Sequence, residues 1–131
     1  MLDIGASNVD GERAFNDAFR RGDWDSVAAN LDPDIFARTD PRWPEQHIYG
    51  REAWIAVLRG TWESWGPDLR FEEIVDLGDR VLTRACWSIR GQRSGVEGEQ
   101  RFTKISTYRE GRIIFVEYFL DHEQALKAVG L

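Results

Sequence analysis

"RVLTRACWSIRG", Arg80–Gly91, alternates with a period of two. Val81, Thr83, Ala85, Trp87 and Ile89 fall on one face, Leu82, Arg84, Cys86, Ser88 and Arg90 on the other, the spacing of a β-strand. Upstream, "LRFEEIVDL", Leu69–Leu77, predicts a second strand with a bulge at Glu72-Glu73, and Gly78-Asp79 turns the chain between them. Downstream, a polar Gly/Ser loop (Gly91 to Gly98) leads into "EQRFTKISTYR", Glu99–Arg109, and Glu110-Gly111 makes a tight turn into "RIIFVEYFL", Arg112–Leu120. The four strands read as one antiparallel meander. The last is apolar on both faces, Ile114, Val116, Tyr118 and Leu120 against Ile113, Phe115 and Phe119. Such a strand needs cover on both sides. Helices supply one cover. A second copy of the chain is expected to supply the other, which predicts a homodimer through the outer sheet face.

The residues before Leu69 change period. Ser7 can cap a helix, with Asp10 as a capping-box variant; Ala14, Phe15, Ala18 and Phe19 make its apolar stripe, and Gly22 stops it. Asp23 can cap a second helix whose Trp24, Val27, Ala28 and Leu31 share a face, ended by Asp32-Pro33. "DIFART", Asp34–Thr39, is short and β-like. Gly50 precedes a longer helix reaching Trp65, with Trp54, Leu58 and Trp62 spaced by four, Gly60 as a weak point and Gly66-Pro67 as its stop. Asp121 caps a final helix, "HEQALKAVG". Helices followed by a meander define an α+β class.

A chain of 131 residues fits one domain, 1–131, with one real core. The net charge of −6 argues against nucleic acid or an anionic membrane as partner, because phosphate binding needs clustered Lys and Arg. The single cysteine, Cys86, allows no internal disulfide and no Cys-rich metal site, and no His/Asp/Glu spacing suggests a metal centre. The N-terminal stretch lacks a signal-like apolar run, and no segment is apolar enough to span a membrane; a cytoplasmic location is the default expectation. Six tryptophans in so small a chain point either to a thick core or to an aromatic-lined cavity.

The order of these marks resembles the nuclear transport factor 2-like superfamily, in particular its SnoaL-like branch. The marks are Gly22-Asp23-Trp24, Asp32-Pro33-Asp34, Asp40-Pro41, Gly50-Arg51-Glu52, Gly78-Asp79-Arg80-Val81, Gly111-Arg112-Ile113 and Tyr118 with Asp121. The resemblance covers nearly the whole chain. It implies a cystatin-like curved antiparallel sheet wrapped around the long helix, an α+β cone with an apolar pocket. Phe15, Phe19, Trp54, Leu58 and Trp62 would line one wall; Ala85, Trp87, Thr103, Ile105, Tyr118 and Leu120 would line the other.

Ketosteroid isomerases of this fold carry a general base in an Asp-Pro step before a Gly-Arg-Glu helix start, so the resemblance puts Asp40 in that role. A carboxylate in an apolar pocket is poorly solvated and becomes a better proton acceptor. Their oxyanion-hole positions correspond by counting to Phe15 and Thr103. The catalytic positions of limonene epoxide hydrolases correspond to Ala85, Trp87 and Tyr118, and SnoaL-type cyclases place an acid near Tyr118. All these substitutions run from catalytic polar groups to others. What remains is Asp40 as base and the Tyr118 hydroxyl as donor, with Trp43 and His47 on the loop able to reach the pocket mouth. Against this, Asp before Pro is a common turn starter, His47 a loop residue, Tyr118 a core residue, and the tryptophan stripe simple packing. Two classes of function stay open. One is a cofactor-independent isomerase, cyclase or dehydratase acting on a small apolar or carbonyl-containing molecule. The other is a non-catalytic carrier or sensor, or a dimerisation module.

Overall fold

The computed structural model describes residues 7–43, 46–90 and 97–131, with the side chains of 89, 90 and 97 excepted. The loop expected over 91–98 lies mostly outside the described residues. Helix α1 spans Asn8–Arg21, α2 Trp24–Ala29, α3 Arg51–Trp65 and α4 His122–Ala128. The strands are β1 Leu31–Arg38, β2 His47–Tyr49, β3 Leu69–Asp76, β4 Arg80–Arg90, β5 Glu97–Arg109 and β6 Arg112–Phe119.

The helix ends follow the sequence marks. The Ser7 side chain accepts from the Asp10 N–H, and Asp23 caps α2 through the Ser26 N–H. Gly22 stops α1 in the left-handed conformation at φ 69°, where a side chain would be strained. A Cβ there would also lie 3.1 Å from the Trp62 ring. The expected bulge in β3 is present: Phe71 pairs with Ala85 but Glu73 with Arg84, two residues against one.

The sheet is larger than the meander. Its six strands run β2-β1-β6-β5-β4-β3, and β1 lies parallel to β6, so the sheet is mixed and not wholly antiparallel. Leu31 opens β1 and does not close the face of α2, which ends at Ala29. Pro33 lacks an N–H for the ladder. The chain accommodates it where the β1–β6 register jumps from Leu31↔Ile113 to Phe36↔Phe115.

Helix α1 and α3 pack on one sheet face. Their contacts join Phe15, Phe19, Trp54 and Leu58 to Val81, Ala85, Trp87, Val116 and Tyr118 in the main core. The other face is partly covered by the chain itself. Ala125 of α4 packs on Leu82 and Ile105, with Phe119, Leu126 and Val129 around them. The expectation that only a second copy could cover this face is therefore corrected for the α4 end. Towards β1 and β2 the same face carries Phe36 stacked between Phe115 at 5.4 Å and Tyr49 at 4.6 Å, and Tyr49 is 73 % exposed.

Candidate functional site

A cavity of about 560 Å³ lies between α1, α3 and the inner sheet face, in the size range of small-molecule sites. Phe15, Phe19, Trp54 and Leu58 supply helix walls, and Trp87, Phe102 and Tyr118 supply strand walls. Ala56, Gly60 and Ser64 of α3 border it while exposed, so it opens past that helix. Asn16 and Lys104, both buried, are polar residues on its border.

The rings form one connected wall. Tyr118 lies 5.6 Å from Trp54, 5.7 Å from Phe102 and 5.7 Å from Trp43, centroid to centroid. Trp87 meets Phe19 edge-on at 5.6 Å and donates its indole N–H to the Gly66 carbonyl at 2.8 Å. Its polar tip is thus satisfied away from the cavity and its body is left as wall.

Asp40 lies among hydrogen-bond donors. It is 3 % exposed but does not border the cavity. Its Oδ1 accepts from the Arg42 backbone N–H at 3.0 Å and from Arg42 Nε at 2.7 Å; its Oδ2 accepts from Arg42 Nη2 at 2.8 Å and from the Leu120 N–H at 2.9 Å. The Arg42 guanidinium and these N–H donors hold its carboxyl well below the usual carboxylate range, outweighing burial, which pushes the other way. A carboxylate so held is a weak proton acceptor. The Trp43 N–H meanwhile donates to the Asp40 carbonyl at 2.9 Å. Asp40 thus ties its loop to the residue after β6, and Trp43 of the same loop lies against Tyr118.

The remaining expected residues divide by where the sheet puts them. Trp43 is half-buried and borders the cavity. His47 is exposed on β2, 5.9 Å from the Phe36 ring on the far side of the sheet, and does not reach the cavity. Trp62 packs against Gly22 and Trp24 and donates to the Arg20 carbonyl at 3.2 Å, outside the lining. Thr103 is buried on the outer face, its Oγ1 2.8 Å from His122 Nδ1 of α4; Ile105 shares that face under Ala125. Register explains both. Lys104 lies opposite Tyr118, and Ala85 opposite Phe102, so Phe102, Lys104, Ser106 and Tyr108 face inward.

The inward face of β5 carries what the sequence reading missed. Lys104 is 3 % exposed, and its Nζ lies 3.0 Å from Glu12 Oε2 of α1, which is 0 % exposed. Glu12 Oε1 accepts from the Tyr108 hydroxyl at 2.8 Å; Oε2 also accepts from Thr83 at 3.1 Å and Ser106 at 3.2 Å. Lys104 donates to Asn16 Oδ1 at 2.6 Å and sits 4.4 Å over the Phe15 ring. Burial pushes the Lys104 ammonium below its ordinary value while Glu12 opposes that shift. Burial, and then the charge of Glu12, push the Tyr118 phenol up, so it stays protonated. One signal in the sequence could have found the cluster. Glu12, Phe15, Asn16 and Phe19 fall at i, i+3, i+4 and i+7, which sets two polar residues inside the apolar stripe of α1.

Among the described residues no group of three His, Cys, Asp or Glu is placed to hold a metal ion. No helix among them is long and apolar enough to cross a membrane.

A mixed sheet with helices packed over a ring-lined cavity defines the class: an α+β fold of the cystatin-like, NTF2-like type. Residues 13–116 match the SnoaL-like domain, and the chain belongs to that family. Solved structures agree. An NTF2-like protein of unknown function from Burkholderia pseudomallei is similar at 20 % identity, covering 95 % of this chain and 98 % of that one, with a TM-score of 0.74. A proposed SnoaL-like polyketide cyclase from Jannaschia sp. CCS1 is 20 % identical over 93 % and 90 %, TM-score 0.70. An LEH-like epoxide hydrolase of M. tuberculosis is 20 % identical over 93 % and 88 %, TM-score 0.72. Likeness at this identity carries the fold and no activity. No curated protein matches the chain.

Proposed function

We propose that this SnoaL-like chain binds a small, flat, mostly apolar molecule in the cone, and that it does so as a carrier or sensor and not through general-base catalysis by Asp40. One observation carries this reading: the cavity of about 560 Å³ is walled by aromatic rings, while the acid expected at its rim has both carboxylate oxygens engaged by Arg42 and the Leu120 N–H. Tyr118, a protonated phenol bordering the cavity, is the donor of the earlier expectation that keeps a place beside the ligand. Two structural neighbours described as a polyketide cyclase and an epoxide hydrolase support a small-molecule role in general terms. Native mass spectrometry of the purified protein tests it. The reading expects a retained small molecule, or its uptake on titration with aromatic compounds, at one per chain. Failure of every aromatic compound to bind would leave the fold as a scaffold.

The stacked Phe36, Tyr49 and Phe115 on the outer face favour a homodimer across that surface, with Tyr49 as the exposed ring to be covered. Light scattering tests this: wild type is expected at dimer mass, and Tyr49→Glu at monomer mass. A monomeric wild type would remove the proposal.

A further inference from the structure

Helix α3 is sorted into flanks by the size of its side chains. Trp54 and Leu58 are buried in the core. The long charged residues Glu52, Arg59 and Glu63 are exposed on the opposite side. At about 3.6 residues per turn, Ala56, Gly60 and Ser64 stack along a third flank, also exposed. All three border the cavity, as do Val57 and Thr61 between that flank and the core. Gly60 is the residue that packing does not explain. It lies inside the helix without a positive φ, and a Cβ added there would meet nothing within 4 Å. Neither a close approach nor the backbone requires glycine, although glycine inside a helix is destabilising relative to alanine.

A second observation, independent of α3, points to an occupant behind this flank. Tyr118 is 9 % exposed and borders the cavity, and its hydroxyl has no hydrogen-bond partner among the described residues. Among those residues Asn16 Nδ2 is the unpartnered side-chain atom closed off from solvent. The Tyr118 hydroxyl is therefore unpartnered but open, and a residue so buried keeps that opening towards the cavity it borders.

We propose that the Ala56, Gly60, Ser64 flank is the doorway of the cavity and that Gly60 is its size filter, the absent side chain leaving the width a broad flat molecule needs to enter. The inference rests on the small-molecule reading of the cavity and adds the route of entry. A row of small residues also lets a second helix approach closely. Such a helix would seal the cavity over an unpartnered hydroxyl, and buried polar groups are rarely left so. The doorway leaves the hydroxyl within reach of water or ligand.

The test is stopped-flow mixing of the full chain with two neutral compounds that absorb tryptophan emission, 7-methoxycoumarin with two rings and 1-pyrenemethanol with more. Quenching of the wall tryptophans reads entry. In Gly60→Leu, association of the pyrene is expected to slow roughly tenfold and that of the coumarin by less than about threefold. A doorway slows exit as well as entry, so pyrene dissociation should fall alongside. Ser64→Leu should act in the same direction and decides the matter should Gly60→Leu not fold; Glu63→Leu, on the solvent side of the helix, should change neither rate. Unchanged pyrene entry in both Gly60→Leu and Ser64→Leu would overturn the doorway and leave the cavity reading standing. So would equal slowing in Glu63→Leu, a loss of pyrene affinity with entry unchanged, or a changed oligomeric mass in Gly60→Leu with both rates unchanged, the mark of a packing surface. Wild type that takes the coumarin and not the pyrene would overturn the width assigned to Gly60. No binding of either compound to wild type would overturn both readings together.

Discussion

Replacing Lys104 with methionine removes one half of an ion pair from the floor of the cone. The two charges lie 3.0 Å apart. At an effective dielectric of about 20 their attraction is on the order of 5 kcal/mol. Most of it is cancelled by the cost of taking both ions out of water, several kcal/mol each. Once Lys104 is gone only the desolvation of Glu12 remains, eased by hydroxyls from Tyr108, Thr83 and Ser106. Breaking a buried pair in this way costs about 3–5 kcal/mol. The three hydroxyls put Lys104→Met at the lower end of that range. The double variant Glu12→Gln with Lys104→Met removes both charges, and Gln keeps an acceptor for the hydroxyls. It is expected to be more stable than Lys104→Met alone by about 2 kcal/mol. Urea unfolding at pH 7 reads both differences. A single variant that unfolds outright beside a folded double variant gives the same sign. A Lys104→Met cost below about 1 kcal/mol, or a double variant no better than the single, would refute the claim that Glu12 and Lys104 are charged partners inside the core.

Three further perturbations separate the roles assigned above. Asp40→Asn is expected to leave aromatic-ligand affinity within about twofold and to lower stability by roughly 1 kcal/mol, since Arg42 is largely exposed and the Leu120 bond survives in weaker form; titration calorimetry and urea unfolding check the two. Because the folded carboxyl lies below its ordinary 3.8, its contribution is present above pH 3.8 and lost as the pH falls further, so the same variant should flatten the acid limb of the stability curve. Tyr108 and Tyr118 are both raised by burial and by Glu12, so the folded state keeps their protons where the unfolded chain loses them. Stability is complete below pH 10 and falls above it by about 1.4 kcal/mol per pH unit for each phenol, and Tyr118→Phe should remove one of the two slopes. Gly60 and Gly22 should respond to alanine with opposite signs. Gly60 is helical with nothing within 4 Å of a new Cβ and should gain up to about 1 kcal/mol, whereas Gly22, at φ 69° and 3.1 Å from Trp62, should lose about 1–2 kcal/mol; thermal unfolding compares them.

The elements most legible in the sequence are those written in local chemistry. Ser7, Asp23 and Asp121 each cap the helix expected of them, because a short polar side chain before an apolar stripe satisfies N–H groups that the helix itself cannot. The bulge at Glu72-Glu73 shows because it breaks the alternation of its strand. Long-range pairing leaves no such mark. Nothing local distinguishes Asp32-Pro33 as a helix stop from Asp32-Pro33 as an irregularity in a strand. That strand exists because β6 lies alongside to take its hydrogen bonds. The same limit applies to Asp40: its neighbours in sequence fit either a base or a turn starter, and the Leu120 N–H that helps engage it lies 80 positions away.

The inner face of β5 differs from expectation for a more instructive reason. The resemblance, by counting, implies Thr103 and Ile105 inward, which leaves Lys104 and Ser106 of "FTKIST" outward. The fold reverses that sorting at both ends of the pairing. Outside, α4 lays Ala125 over Ile105 and sets His122 against Thr103, so an exterior face is dry. Inside, Glu12 rises from α1 to meet Lys104, so an interior face is charged. Each inversion depends on a residue from a distant element, and only the helix stripe of Glu12 and Asn16 among Phe15 and Phe19 announces that a polar partner is needed. The consequence reaches the site. An all-apolar cone would discriminate ligands by shape alone, whereas a cone bordered by one member of a matched ion pair, Lys104, can also discriminate by charge. In a family whose fold leaves activity open, those few polar atoms on the pocket border are where selectivity for one ligand over another is to be sought.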